Sequence, residues 1–338
     1  MSTPASTSSQ ITRREALRRT VVFSATALAA GQSSLLRAAP AKTKFADQGL
    51  NLLALGDYGT KGDENQTAVA QAMAKFAKSL DRPLDAVLAV GDNFYKKITP
   101  DRFENHFEKM YSKDGLDCPF YACAGNHDYG TAKYDEQEGK LQMQLDYAKE
   151  NPNSRWKFPS KWYTIELPSA EKPLVRVIVL DGNYWEGALK PKEKIAQRRF
   201  FEAEMKRKTA APWTWVVNHF PLFTDCNQGT RGDDKTLIRE WGKLLRHSNV
   251  SLSFAGHDHT LQHLRVKDYP CSFIVSGAGG AKLYTVKPNA RGYTDGKHLG
   301  FSHMHVTRDA LNVQFLNADG ECIHHFCRDL CGNVKVLA

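Results

Sequence analysis

No apolar run in this chain approaches the roughly 18 residues that a membrane-crossing helix needs. With a mean hydropathy of −0.49 and 25% charged residues, the expectation is a soluble globular protein with no integral membrane span. Also lacking is any basic run interleaved with aromatics, so no nucleic-acid groove is expected. No internal repeat recurs, and no Pro/Gly/Ser linker is long enough to divide domains. One layered α/β domain is the economical reading. Negative charge is the scarcer sign: 37 Asp and Glu face 46 Lys and Arg, a formal net charge of +9. A modest positive field favours anionic substrates, although a solvated lysine-rich surface accounts for most of these charges.

The first 41 residues differ in composition. They are rich in Ser, Thr and Ala, and basic residues precede a mildly apolar stretch from Thr20 to Leu36. Thr12-Arg13-Arg14-Glu15-Ala16-Leu17 resembles a twin-arginine export signal, and Ala39-Pro40-Ala41 offers small residues for cleavage after Ala41. Ala16 stands where such signals often carry a larger apolar residue, and the plainer alternative is a disordered basic tail. Residues 1–41 hold five arginines and one glutamate, so their removal lowers the charge by four, from +9 to +5. The expected organisation is an export signal over 1–41 and a single domain over 42–338. It would be carried folded by the twin-arginine machinery to the periplasm or beyond, and would act as a monomer.

Seven cysteines, at Cys118, Cys123, Cys226, Cys271, Cys322, Cys327 and Cys331, cannot all pair within one chain. Their spacings fit no familiar zinc pattern, even beside His324 and His325, so disulfides or buried thiols are expected.

Short apolar runs alternate with amphipathic stretches. Strands are expected at Leu50 to Leu55, Ala86 to Val90, Phe120 to Ala122, Trp162 to Leu167, Val175 to Leu180, Trp213 to Val217 and Ser251 to Phe254. Helices are expected near 67–80, 100–110, 135–149, 193–208 and 235–247. Beyond Gly256 only strands follow, near 261–266, 272–276, 301–307 and 311–316.

Five segments share one design, an apolar strand running straight into residues that bind metal: Gly56-Asp57-Tyr58-Gly59, Gly91-Asp92-Asn93-Phe94-Tyr95, Gly125-Asn126-His127-Asp128, Val217-Asn218-His219 and Gly256-His257-Asp258-His259. In open α/β sheets ligands bind at that carboxyl edge. Singly each is weak, since Gly-Asp is usually a turn and a lone His usually a satisfied polar group. Together they supply two carboxylates, a phenol, an amide oxygen and three imidazoles. If one carboxylate bridges, each of two ions gains four protein ligands and keeps open positions, as two-metal hydrolysis at roughly 3.5–4 Å separation requires.

These residues resemble the metallophosphoesterases, and within them the small, tartrate-resistant type of purple acid phosphatase, over about residues 49–280. Most metallophosphoesterases place a His two residues after the first Asp; here Gly59 stands there, and Tyr95 follows the second Asp by three. His257-Asp258-His259-Thr260-Leu261-Gln262 and Val275-Ser276-Gly277-Ala278-Gly279 also look like the small type. The resemblance implies a layered β-sandwich of two mixed sheets flanked by helices. It implies Fe(III) on Asp57, Tyr95 and His259, a divalent Fe, Zn or Mn on Asn126, His219 and His257, and Asp92 bridging. A hard phenolate suits Fe(III). The implied activity is acid hydrolysis of small phosphate monoesters by a metal-activated hydroxide. His127 would contact the phosphoryl oxygens or protonate the leaving group, with Asp128 orienting it. Relatives often carry a His where Gln228 stands before Gly229, and an amide cannot serve as a general acid. The alternatives are a phosphodiesterase or nucleotide hydrolase on the same fold, or a non-hydrolytic iron redox protein. His303, His305, His324 and His325 have no evident partners in sequence and are read as core or surface residues. Tyr58, Phe94, Trp185 and Phe220 could wall the site, but packing is the commoner role.

Overall fold

A computed structural model describes residues 49–130, 137–184, 188–229, 231–287 and 291–338; the expected export signal and Trp185 lie outside them. The fold begins with β1 (Leu50–Leu55), every residue of which is buried. A strand covered on both faces needs no polar alternation, hence its near-continuous apolar sequence. β2 (Ala86–Ala89), β3 (Phe120–Ala122) and the two-residue β4 (Trp156–Lys157) join it in parallel.

The second sheet holds β5 (Tyr163–Leu167), β6 (Val175–Val179), β7 (Trp213–Val217), β8 (Val250–Ala255), β9 (Leu261–Arg265), β10 (Ser272–Ser276) and β11 (Gly292–Asp295), ordered β11-β9-β10-β8-β7-β6-β5. Its middle, β6, β7, β8 and β10, is parallel, and its two edges are antiparallel. The chain then returns to the first sheet. β12 (Gly300–Val306) pairs antiparallel with β1, and β13 (Ala310–Asn317), β14 (Cys322–Asp329) and β15 (Val334–Val336) extend that edge.

Helices cover the outer faces. In α1 (Glu64–Ser79) Asp63 caps the first turn, accepting from the Gln66 N–H, and Gln66, Val69, Ala70, Met73 and Ala77 form the buried stripe. A single turn, α2 (Asn126–Tyr129), follows β3. α3 is Lys140–Glu150, and α4 (Pro191–Lys206) starts with proline in its first turn while Glu193 reaches back to the Lys190 N–H at 2.8 Å. α5 (Lys235–Arg246) buries Leu237, Trp241 and Leu245, spaced by four, against the second sheet and Phe201 of α4. One core fills the space between the sheets, with Leu53, Val87 and Met304 facing Trp215 and Phe254. A second lies under α4 and α5.

The expected sandwich of two mixed sheets flanked by helices is therefore present, and among the described residues no helix is long and apolar enough to cross a membrane. The expected helix at 100–110 is instead a short turn, Pro100–Phe103, widening into a π-helical turn at Glu104–Glu108. All seven cysteines are unpaired thiols; four are buried, and burial pushes Cys118 and Cys271 up to about 12. His303 sits in the core between Asn51 (3.1 Å) and Gln314 (3.2 Å). His263 lies between His324 (3.0 Å) and the Ser272 hydroxyl (3.1 Å), its ring stacked on Phe326.

Candidate metal centre

All five donor segments leave the carboxyl ends of parallel strands: β1, β2 and β3 in the first sheet, β7 and β8 in the second. Backbone bonds tie the strand ends within each sheet and, through Gly56 and Ser276, across the two. The Gly56 N–H donates to the Ser276 carbonyl at 2.7 Å, Asp57 N–H to Gly91 at 3.0 Å, and Gly256 N–H to His219 at 2.9 Å.

The seven donors meet in two groups. In one, the Tyr95 phenol oxygen lies 3.3 Å from Asp57 Oδ1 and 3.2 Å from His259 Nε2, and His259 Nε2 is 3.4 Å from Asp57 Oδ1. In the other, Asn126 Oδ1 lies 3.2 Å from His219 Nε2 and 2.9 Å from His257 Nδ1. Asp92 stands between: its Oδ1 is 3.4 Å from His219 Nε2, and its carboxylate also acts directly on the Tyr95 hydroxyl. Donor atoms of Asp57, Asp92 and His219 all fall within 4.8 Å of one another.

Outer contacts fix the rings. His219 Nδ1 faces the Val90 carbonyl at 2.9 Å and His259 Nδ1 the Lys282 carbonyl at 2.7 Å, so each Nδ1–H donates there and each Nε2 is left as the ligand. The groups are also bonded to each other: His257 N–H donates to Asp57 Oδ2 at 2.8 Å, and His127 N–H to Asp92 Oδ1 at 2.9 Å. Close approach demands glycine. A Cβ on Gly125 would lie 2.1 Å from Asp92 Oδ1, and one on Gly91 2.5 Å from His219 Nδ1.

The charges match a cation site. Asp57 is 0% and Asp92 2% exposed. Burial opposes ionisation of Asp92, but the facing His219 and then His127 outweigh it and hold the carboxyl far below its ordinary range. Burial likewise opposes charging of His219, and Asp92 overrides it, raising the imidazole to about 9. Burial, then the His219 and Arg231 charges, hold His257 well below its ordinary value. Burial and the Asp92 and Asp57 carboxylates push the Tyr95 phenol well up, a balance that a bound cation reverses. Four oxygen and three imidazole donors fit a pair of hard to borderline ions.

His127 lies at the rim, its ring 4.4 Å from that of Tyr95. The expectation that Asp128 orients this ring finds no contact among the described residues. The buried Asp128 carboxylate instead accepts from the backbone N–H groups of Asn93, Phe94 and Gly125 and from the side-chain amides of Asn93 and Gln144. It holds the loops carrying Asp92 and Asn126. Of the candidate walls, Tyr58 and Phe94 are core residues, and Phe220 reaches the site, 4.2 Å from the His257 ring. Gln228 is exposed.

Three supporting residues went unread in the sequence. Buried Arg102 donates to the carbonyls of Gly59 and Tyr95, and buried Lys140 to those of Phe94 and His127. Tyr284 stacks on His259 at 4.1 Å. No local pattern marks them: Arg102 reaches Gly59 43 residues away and Lys140 reaches Phe94 46 residues away.

Over residues 50–261 the sequence matches the calcineurin-like phosphoesterase family. It is 30% identical over 308 residues to purple acid phosphatase 17 of Arabidopsis thaliana, covering 84% of this chain and 85% of that one. To tartrate-resistant acid phosphatase type 5 of Homo sapiens it is 28% identical over 332 residues, covering 88% and 95%. The fold superposes on a purple acid phosphatase from yellow lupin seeds with a TM-score of 0.60 at 16% identity, over 83% of this chain and 54% of that one.

Proposed function

The chain belongs to the calcineurin-like phosphoesterase family and, within it, to the purple acid phosphatases, and from that premise we propose that it hydrolyses phosphate monoesters in acid at a dinuclear metal centre. The observation carrying this reading is the meeting of seven donors from five strand ends, in two groups with Asp92 between them.

Asp57, Tyr95 and His259 would hold Fe(III); Asn126, His219 and His257 would hold a divalent Fe, Zn or Mn; Asp92 would bridge. The phenol among the first group supports the ferric assignment, since a hard anionic oxygen favours the higher charge. When bound, such a pair acidifies water enough to provide a nucleophile in acid and neutralises charge on the phosphoryl oxygens. The protein does the rest. Outer contacts to Val90 and Lys282 keep the imidazoles aimed, and Asp128 fixes the loops around Asp92 and Asn126. His127, at the rim, offers ring nitrogens to a phosphoryl oxygen or to the departing alcohol. Gln228 leaves that proton to His127 or to solvent.

Metal analysis and a visible spectrum of purified protein, with phosphate release from a chromogenic monoester and the bis-ester of the same alcohol, test the reading together. Two metals per chain, a tyrosinate band and a faster monoester are expected. Colourless, fully metallated protein that releases no phosphate would refute it.

The paired Arg13-Arg14 ahead of Thr20 to Leu36 supports export of the folded protein to the periplasm or medium by the twin-arginine route. Retention in the cytoplasm of a reporter fused to residues 1–41, with R13K/R14K making no difference, would count against that.

A further inference from the structure

Beside the centre stands a cation that the mechanism above does not use. Arg231 Nη1 donates to Asp258 Oδ1 at 2.9 Å, and Nη2 lies 3.5 Å from the Tyr284 hydroxyl. Its guanidinium carbon sits 4.8 Å over the Tyr284 ring, whose other neighbour is His259, stacked at 4.1 Å and 15°. These two spacings bring the guanidinium within at most about 9 Å of the His259 ring, with tyrosine separating them. Asp258, its anchor, is buried between the donors His257 and His259 in sequence and also accepts from the Thr224 hydroxyl. The arginine is therefore held in place rather than waving from the surface, yet its side chain stays 23% exposed.

A guanidinium carries five N–H groups, and the described bonds occupy two of them. Holding a planar fork at the mouth of an anion-processing site is how proteins bind carboxylates and phosphates. Tyr284 separates Arg231 from His259, and the partly exposed guanidinium is open to a group that extends from a bound phosphate. Nearby Gln228, three residues earlier, adds no charge.

We propose that Arg231 is an anion anchor at the rim, and that the preferred substrates are phosphate monoesters whose leaving group carries a second negative charge, a carboxylate or a further phosphate. This deepens the phosphatase reading and rests on it.

Two phosphonates of matched shape test the anchor without turnover: 3-phosphonopropionate and propylphosphonate, which differ by a carboxylate in place of a methyl group. Calorimetric titration of metal-loaded protein should show the carboxylate form binding roughly tenfold more tightly. R231Q should bring that ratio close to one, and R231K should keep part of it. Equal affinity of the unmutated protein for the two overturns the anchor, a result that needs no variant to fold. So does an R231Q protein that weakens both ligands alike with the ratio intact, which would assign Arg231 to bracing Asp258. Turnover of 3-phosphoglycerate and glycerol 1-phosphate is read separately. If neither is hydrolysed the phosphatase reading falls, while the phosphonate ratio still decides the anchor.

Discussion

Acidification from about pH 7 to about pH 5 should destabilise this protein through two histidines that belong to neither group of donors. His303 is fully buried between Asn51 and Gln314. His263 is buried against His324, Ser272 and the Phe326 ring. Burial, with the His324 charge adding to it, pushes His263 down to about 3; for His303 burial again dominates and outweighs the help of Gln314, giving about 3. Both rings are thus neutral in the folded state over the acid range, whereas the unfolded chain titrates near 6.5. The unfolded state binds more protons between those limits. Their contribution is complete above about pH 6.5 and drains away as pH falls toward 3. At about pH 5 each ring costs about 2 kcal/mol, so the pair removes about 4 kcal/mol from a total that is commonly about 5–15. Denaturant midpoints measured between about pH 7.5 and 5 on the parent, H263Q and H303Q give the test. Each glutamine variant should flatten the slope by roughly 1 kcal/mol per pH unit in the lower half of that range. Metal loss in acid destabilises by itself, but it is common to all three proteins and cancels in the difference between variant and parent. A parent midpoint that does not move, or variants that track the parent's slope, would refute the reasoning.

Three further outcomes follow from the geometry. Y95F should abolish the visible band while metal analysis still finds iron; a surviving band would place the ferric ligand elsewhere. G125A forces a methyl group to 2.1 Å from Asp92 Oδ1 and 2.2 Å from its backbone nitrogen, and a displacement near 1 Å costs about 100-fold in catalysis, so kcat/KM within threefold of the parent would count against Asp92 as the shared donor. R155M removes a buried guanidinium that serves the Tyr111, Leu116 and Glu108 carbonyls and the Glu108 carboxylate; stability should drop by about 3–5 kcal/mol, and a thermal midpoint unchanged from the parent would refute that.

How much of this was legible depended on whether the signal was local. The donor segments could be read because each combines a buried or mostly buried strand with polar residues at its end, so the strand pattern stops abruptly, as after Leu55 and Ala255. β4 escaped notice because two residues carry no periodicity. β14 does alternate in burial, but its sequence Cys-Ile-His-His-Phe-Cys-Arg-Asp puts a buried His324 and Arg328 where an apolar residue is expected. Among the described residues α3 starts at Lys140 because Gly139, at φ 77°, leaves the helical region; the expected start at 135 lies outside them. Asp128 shows a different limit of local reading. Adjacency to His127 suggested a partnership, but consecutive residues in a helical turn point apart, and the carboxylate turned toward Asn93 instead. Arg231 and Tyr284, 53 residues apart, meet only through the fold.

The donor loops share a conformational oddity that explains why they depend on one another. Asp57, Asp92 and His257 all have positive φ, 59°, 53° and 65°, a left-handed conformation that costs a residue with a side chain about 1–2 kcal/mol. Asp and His tolerate that region better than most residues, but still at a cost. Each is caught by a neighbour: the Asp57 N–H by the Gly91 carbonyl, the Asp57 carboxylate by the His257 N–H, the Asp92 carboxylate by the His127 N–H. The bonds that offset the strain therefore run between loops of different strands and different sheets. Removing one donor side chain releases not only a ligand but also the contact holding a strained partner, so losses at Asp57 and Asp92 should combine less than additively. The same cross-linking sets the donors 3–4 Å apart through protein contacts alone, so cation binding has little backbone to reorganise.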